Sequence, residues 1–173
     1  RNGDGGHGGV LYAQGTGAQA HFVDCLFMQN YVTGSEVNHG GTFYIHDGAY
    51  LACTRCDFNE NYVKAFDRYD YAHGGAVYIT GTSTRAGFVG CNFTGNRATS
   101  NDRNYGGAVY VENGAHVTWE QCDFNENYVE AHGSSDVAHG GAVYIKGTST
   151  RAGFVGCHFA GNRASSNDKN YGG

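Results

Sequence analysis

The amino-acid sequence predicts an all-β chain, a right-handed parallel β-helix with three strands per coil and five coils of 32–34 residues. Three observations lead there. A Gly-Gly doublet returns at Gly8, Gly40, Gly74, Gly106, Gly140 and Gly172, at intervals of 32, 34, 32, 34 and 32 residues, and a fixed period of this size marks a stacked repeat. Each of the five coils carries C-x-F-x-x-N once. The chain holds 29 glycines, 13 tyrosines, 10 phenylalanines and no proline in 173 residues, with apolar residues in strand-length runs such as AVYI and AGFV. Without proline every backbone N–H can donate to a ladder, and a helical repeat is excluded by the scarcity of helix formers between the glycines.

Within a coil the strands follow from comparing equivalent positions. After Gly-Gly, the fourth position reads Leu11, Phe43, Val77, Val109, Val143 and the sixth reads Ala13, Ile45, Ile79, Val111, Ile145. Side chains alternate faces along a strand, so both columns point inward and the position between them points out. That outward position is a tyrosine ladder: Tyr12, Tyr44, Tyr78, Tyr110, Tyr144. A second strand carries Ala20, Leu51, Ala86, Val117, Ala152 and Phe22, Cys53, Phe88, Trp119, Phe154 on its inner face. The parity then breaks, which predicts a corner at Asp24, Arg55, Gly90, Gln121 and Gly156. Beyond it, a third strand turns inward the cysteine ladder Cys25, Cys56, Cys91, Cys122, Cys157 and the phenylalanines two residues on. The asparagine ladder Asn30, Asn61, Asn96, Asn127, Asn162 closes this strand, where a buried amide can satisfy turn backbone and its neighbours in the stack. The segments KAFDRYDYAH, EAHGSSDVAH and TSNDRNY read as charged loops projecting from one corner. Right-handedness is expected from the chirality of parallel crossovers.

The unit is doubled. Gly140–Tyr171 repeats Gly74–Tyr105 with five changes: Thr80 to Lys146, Asn92 to His158, Thr94 to Ala160, Thr99 to Ser165 and Arg103 to Lys169. Residues 1–173 read as one repeat-array domain, with coils starting near 8, 40, 74, 106 and 140. The sequence begins and ends within a repeat, so the expectation is a segment of a longer array or a filament subunit. Open coil ends present unpaired backbone, and heterologous contacts between copies would build a filament. Five coils would advance about 24 Å.

Gly-Gly-Ala-Val at Gly74, Gly106 and Gly140, each followed by Phe-x-x-Asn, resembles the paired GGA(I/L/V) and FxxN repeats of the chlamydial polymorphic outer membrane proteins and of similar adhesin-like surface proteins. The resemblance covers all five coils, with GGVL at Gly8 and GGTF at Gly40 departing from it. It implies a right-handed parallel β-helix displayed extracellularly or at the cell surface, and brings no catalytic residues.

No residue set points to catalysis or to a cofactor. Glycosidase chemistry needs carboxylates clustered in one groove, whereas Asp57 and Asp123, like Glu60 and Glu126, stand two coils apart. A β-helical carbohydrate-active enzyme or a carbohydrate-binding adhesin is the alternative to a structural fibre or stalk. Cysteines on neighbouring rungs are near enough for disulfides, or serve as small apolar filler; the single C-x-x-C, Cys53 and Cys56, lacks a second pair for zinc. His39 and His73 stand on adjacent rungs with His7 before Gly8, His139 further on, and Tyr105 and Tyr171 in the same place in other coils. Such turn histidines read as solvated or backbone-bonded, not as a metal site, and GGHGGVLY lacks the aspartate of a calcium nonapeptide. Asn92-Phe93-Thr94 is the one N-x-S/T sequon and faces outward, a glycosylation candidate. Net charge is −5, so nucleic acid is not an expected partner, and no apolar run is long enough for a membrane span. The expected partners are further copies of the repeat, and glycans.

Overall fold

The computed structural model describes residues 5–67, 70–133 and 136–172, and within them every regular element is a β-strand. The first coil runs through β1 (Leu11–Gln14), β2 (Gln19–Val23), β3 (Leu26–Met28), β4 (Tyr31–Gly34) and β5 (Asn38–His39). Each later coil repeats the five strands, and equivalent strands pair in parallel, giving five sheets of five strands. The architecture is a parallel β-solenoid of five turns.

Pairing holds the register expected from the repeat. Leu11, Phe43, Val77, Val109 and Val143 are successive partners in the β1 sheet, and Phe27, Phe58, Phe93, Phe124 and Phe159 in the β3 sheet. The β1, β2 and β3 sheets enclose the main core, formed by the four inward columns of the first two strands with the cysteines and phenylalanines of the third. Phenylalanine rings stack like to like: Phe58 on Phe93, Phe93 on Phe124 and Phe124 on Phe159, each 4.7 Å between centroids and within 4° of parallel. That distance is the strand spacing itself, so hydrogen bonding and ring packing agree on one period.

Cys53 is small for a reason of volume. In its coil the first strand carries Phe43 where other coils have Leu or Val. Phe43 stacks on Phe22 at 5.1 Å, taking the space a ring at 53 would fill. A large residue on one sheet is thus matched by a small one on the next, conserving core volume.

The corner between the second and third strands lies where the parity break places it. Asp24, Arg55, Gly90, Gln121 and Gly156 all have φ between 50° and 62°. A second left-handed corner precedes the asparagines, at Gln29, Glu60, Gly95, Glu126 and Gly161, with φ from 53° to 64°. Non-glycine residues in this region carry a steric cost; at the first corner the Arg55 guanidinium binds Asp24 through two bonds of 2.6 and 2.8 Å, tying the turns of adjacent coils.

The expectation of three strands per coil is corrected to five. The segments read as loops are arms: the β4 sheet runs out and the β5 sheet returns, joined by a short tip. Between them lies a second core of Val32, Val63, Ala72, Ala98, Val129 and Ala138. Arg68, Tyr69, Ser134 and Ser135, in the two long segments, lie outside the described residues.

Candidate functional site

The asparagine ladder closes every bond available to it at the centre of the stack. The backbone N–H and Nδ2 of Asn61 both donate to Oδ1 of Asn96, at 3.1 and 3.0 Å, and Nδ2 also donates to the carbonyl of Phe27 at 2.9 Å. Asn96 repeats the pattern with Asn127 and Phe58, and Asn127 with Asn162 and Phe93. Asn61, Asn96 and Asn127 are fully buried, and a buried amide is tolerated only when so satisfied. Asn30 and Asn162 continue the ladder at the two ends.

A second set of amides went unread in the sequence. In the short arms Asn38 and Asn104 are buried; Asn104 Oδ1 accepts from the N–H of Ala72 at 3.2 Å, and its Nδ2 donates to the carbonyl of Glu130 at 2.8 Å. Asn38 does the same with Gly6 and Lys64. The signal was an alternation, Asn38, Ala72, Asn104, Ala138, Asn170, visible only when every second coil is compared.

All six cysteines are free thiols. The ladder residues mimic the asparagines weakly: the N–H of Cys56 points to Sγ of Cys91 at 3.5 Å, and that of Cys91 to Sγ of Cys122 at 3.4 Å. Each thiol in turn donates to a carbonyl two residues back, such as Cys56 to Thr54 and Cys122 to Glu120, both at 3.4 Å. Burial pushes Cys53 and Cys56 up from the ordinary thiol value, which disfavours the nucleophilic thiolate.

The tyrosine ladder points out of the main core, as the alternation requires, but it does not meet solvent in the middle coils. Tyr78 and Tyr110 are 4% and 2% exposed. The returning arm covers them with its own outer column, His7, His39, His73, Tyr105, His139, Tyr171. His39 stacks on Tyr78 at 4.5 Å, His73 packs edge-on to Tyr110 at 5.0 Å, and Tyr105 stacks on Tyr144 at 5.1 Å. Where arm meets body, two aromatic ladders therefore fill the corner. The hydroxyls of Tyr78 and Tyr110 both donate to the Glu112 carboxylate. Burial, and then this carboxylate, holds both phenols well above their ordinary value.

His39, His73 and His139 belong to this corner and pack against tyrosine rings, whereas His7, at the first rung, is exposed. His7 pairs with His39 through an isolated parallel bridge and stacks on it at 4.9 Å, so three successive rungs carry imidazole and not two. Nδ1 of His39 and Nδ1 of His73 lie 3.1 Å apart, one ring donating to the other. Burial, followed by the nearby His7 and His46, pushes His39 down to about 3, and burial drives His73 well below the usual histidine value. Among the described residues no group of three or more His, Cys, Asp or Glu is arranged to hold a metal ion.

Asn92 is exposed on the outer face of the β3 sheet. Its neighbours one rung away are Asp57 and Asp123, and its Nδ2 donates to Asp57 at 2.7 Å. Comparison with known proteins gave no match: no family model, no curated protein and no solved structure matches this chain.

Proposed function

We propose that this chain is a structural element, a rod or stalk segment of an extracellular fibre or cell-surface protein, with no catalytic role. The observation that carries this reading is the unbroken register of the five sheets, in which rung after rung offers the same residues. Catalysis requires one place unlike the rest, with groups of different pKa brought together; here Asp57 and Asp123, like Glu60 and Glu126, recur at the two-coil interval. The winding is right-handed on this reading, supported by the rule for parallel crossovers. The last coil exposes Ile145, Phe154 and Phe159, and the first leaves Leu11, Phe22 and Cys25 only partly buried, inward-column residues that a further coil of the same repeat would cover. The likeness of the GGAV and FxxN motifs to surface-protein repeats supports the extracellular setting, and the outward Asn92 would then be open to glycosylation.

Electron microscopy of concentrated protein with fibre diffraction tests the proposal. Rods giving a meridional reflection at about 4.8 Å are expected. Discrete particles that release sugar from a polysaccharide would overturn it in favour of a carbohydrate-active enzyme.

A further inference from the structure

The outer face of the β2 sheet carries a feature the fold does not need. Its central column reads His21, Ala52, Gly87, Thr118, Gly153, in unbroken register. Glycine inside a strand is destabilising, and it commonly marks a bulge, a strained backbone or the close approach of a ligand or another chain. There is no bulge here. Neither Gly87 nor Gly153 has positive φ. A methyl group at Gly87 would meet only Thr118 Oγ1, at 3.7 Å, and one at Gly153 only Thr118 Cγ2, also at 3.7 Å, both ordinary contacts. By contrast, a methyl group at Gly75 would fall on the carbonyl oxygen of Gly107 and the backbone of Arg97. Gly75 is required from within, whereas Gly87 and Gly153 leave room on the outside, in an open groove of about 510 Å³.

One wall of that groove is basic. Arg85, His116 and Arg151 are exposed partners on successive rungs. Arg55 and Arg97 are matched by Asp24 and Glu130 one rung away, but among the described residues neither Arg85 nor Arg151 forms an ion pair. Arg85 and Arg151, two rungs apart with no carboxylate between them, repel one another. An acidic partner with charges two rungs apart would relieve this.

The molecule itself carries such a surface. On the outer face of the β3 sheet, Asp57 and Asp123 are 66 residues apart, the same two-coil interval that separates Arg85 from Arg151. Glu60 and Glu126, both exposed, add acid to the same two coils. We propose that rods associate side by side, the β2 face of one copy taking the β3 face of a second copy, with Arg85 and Arg151 opposite Asp57 and Asp123. The aspartates lie in the second and fourth coils and the arginines in the third and fifth, so the copies meet with an axial offset of one rung, about 4.8 Å. The contact joins two different faces and is open-ended, so it builds lateral arrays and not closed dimers. Asn92 stands between the two aspartates, and sugar attached there would block the face.

The proposal rests on the coil geometry and is independent of growth along the axis. Sedimentation velocity against protein and salt concentration, with small-angle scattering, tests it. Wild-type protein is expected to associate with an increase in cross-section, weakening as salt rises. Arg85→Glu with Arg151→Glu, and separately Asp57→Lys with Asp123→Lys, should each weaken association by about tenfold or more, and mixing the two variants should restore it. Growth in length alone, charge-reversed variants that associate as wild type, or a mixture that stays dispersed would each overturn lateral docking. So would a wild-type chain that remains dispersed while its Arg85 and Arg151 bind a uronate polymer such as hyaluronan but not neutral dextran.

Discussion

His39 and His73 show how one residue's surroundings set its chemistry. Each imidazole is held neutral because the corner gives it aromatic rings in place of water, and His39 falls from 6.5 to about 3. A histidine lowered in this way binds fewer protons folded than unfolded. Its stabilisation is fully present above the unfolded value and is lost as pH falls from about 6.5 toward 3. At pH 5 the loss from His39 alone is roughly 2 kcal/mol. The sequence supplies its own control, since tyrosine occupies the same column at Tyr105 and Tyr171. His39→Tyr with His73→Tyr is expected to shrink the fall in urea midpoint between about pH 7.5 and pH 5. An unchanged fall would place the acid sensitivity elsewhere. None of this burial could be read from the histidines' spacing, because it depends on an arm folding over a strand some residues ahead in the chain.

At the scale of the strand, two kinds of glycine separate. Gly75→Ala is expected to destabilise the fold by about 3 kcal/mol, since the added methyl meets backbone that cannot move without breaking the ladder. Gly87→Ala is expected to stabilise it by about 0.5–1 kcal/mol, by restricting the unfolded chain and improving strand propensity. Urea denaturation of the two variants decides this, and a destabilised Gly87→Ala would return that glycine to an internal role. The three body strands were legible because their inward columns repeat in every coil, and the parity break marked the first corner. The arms were not. Their inward positions are few, Val63 and Ala72 in one coil, and their lengths and buried polar residues alternate. Comparison of adjacent coils therefore set Asn38 against Ala72 and Asn104 against Ala138, and concealed both the strands and the second amide ladder.

For the whole molecule, stacking makes stability a sum over coils and their neighbours. Removing Gly74–His139 joins His73 to Gly140 across a full two-coil repeat. The shortened chain is expected to keep its β circular dichroism and cooperative unfolding, with its dimension along the stacking axis reduced by about 10 Å in solution scattering. An unfolded product would mean that the coils are not interchangeable. By itself the sequence determined the period, the parallel register, the inward columns and the asparagine ladder, because each is a property of like residues stacked on like at one strand spacing. Only the tertiary structure decided that the tyrosine ladder is covered in its middle coils, that His39 and His73 are withdrawn from water, and which glycines face open space. Those facts depend on how one part of a coil folds against another part of the same coil, a relation across the stack that repetition along it does not encode.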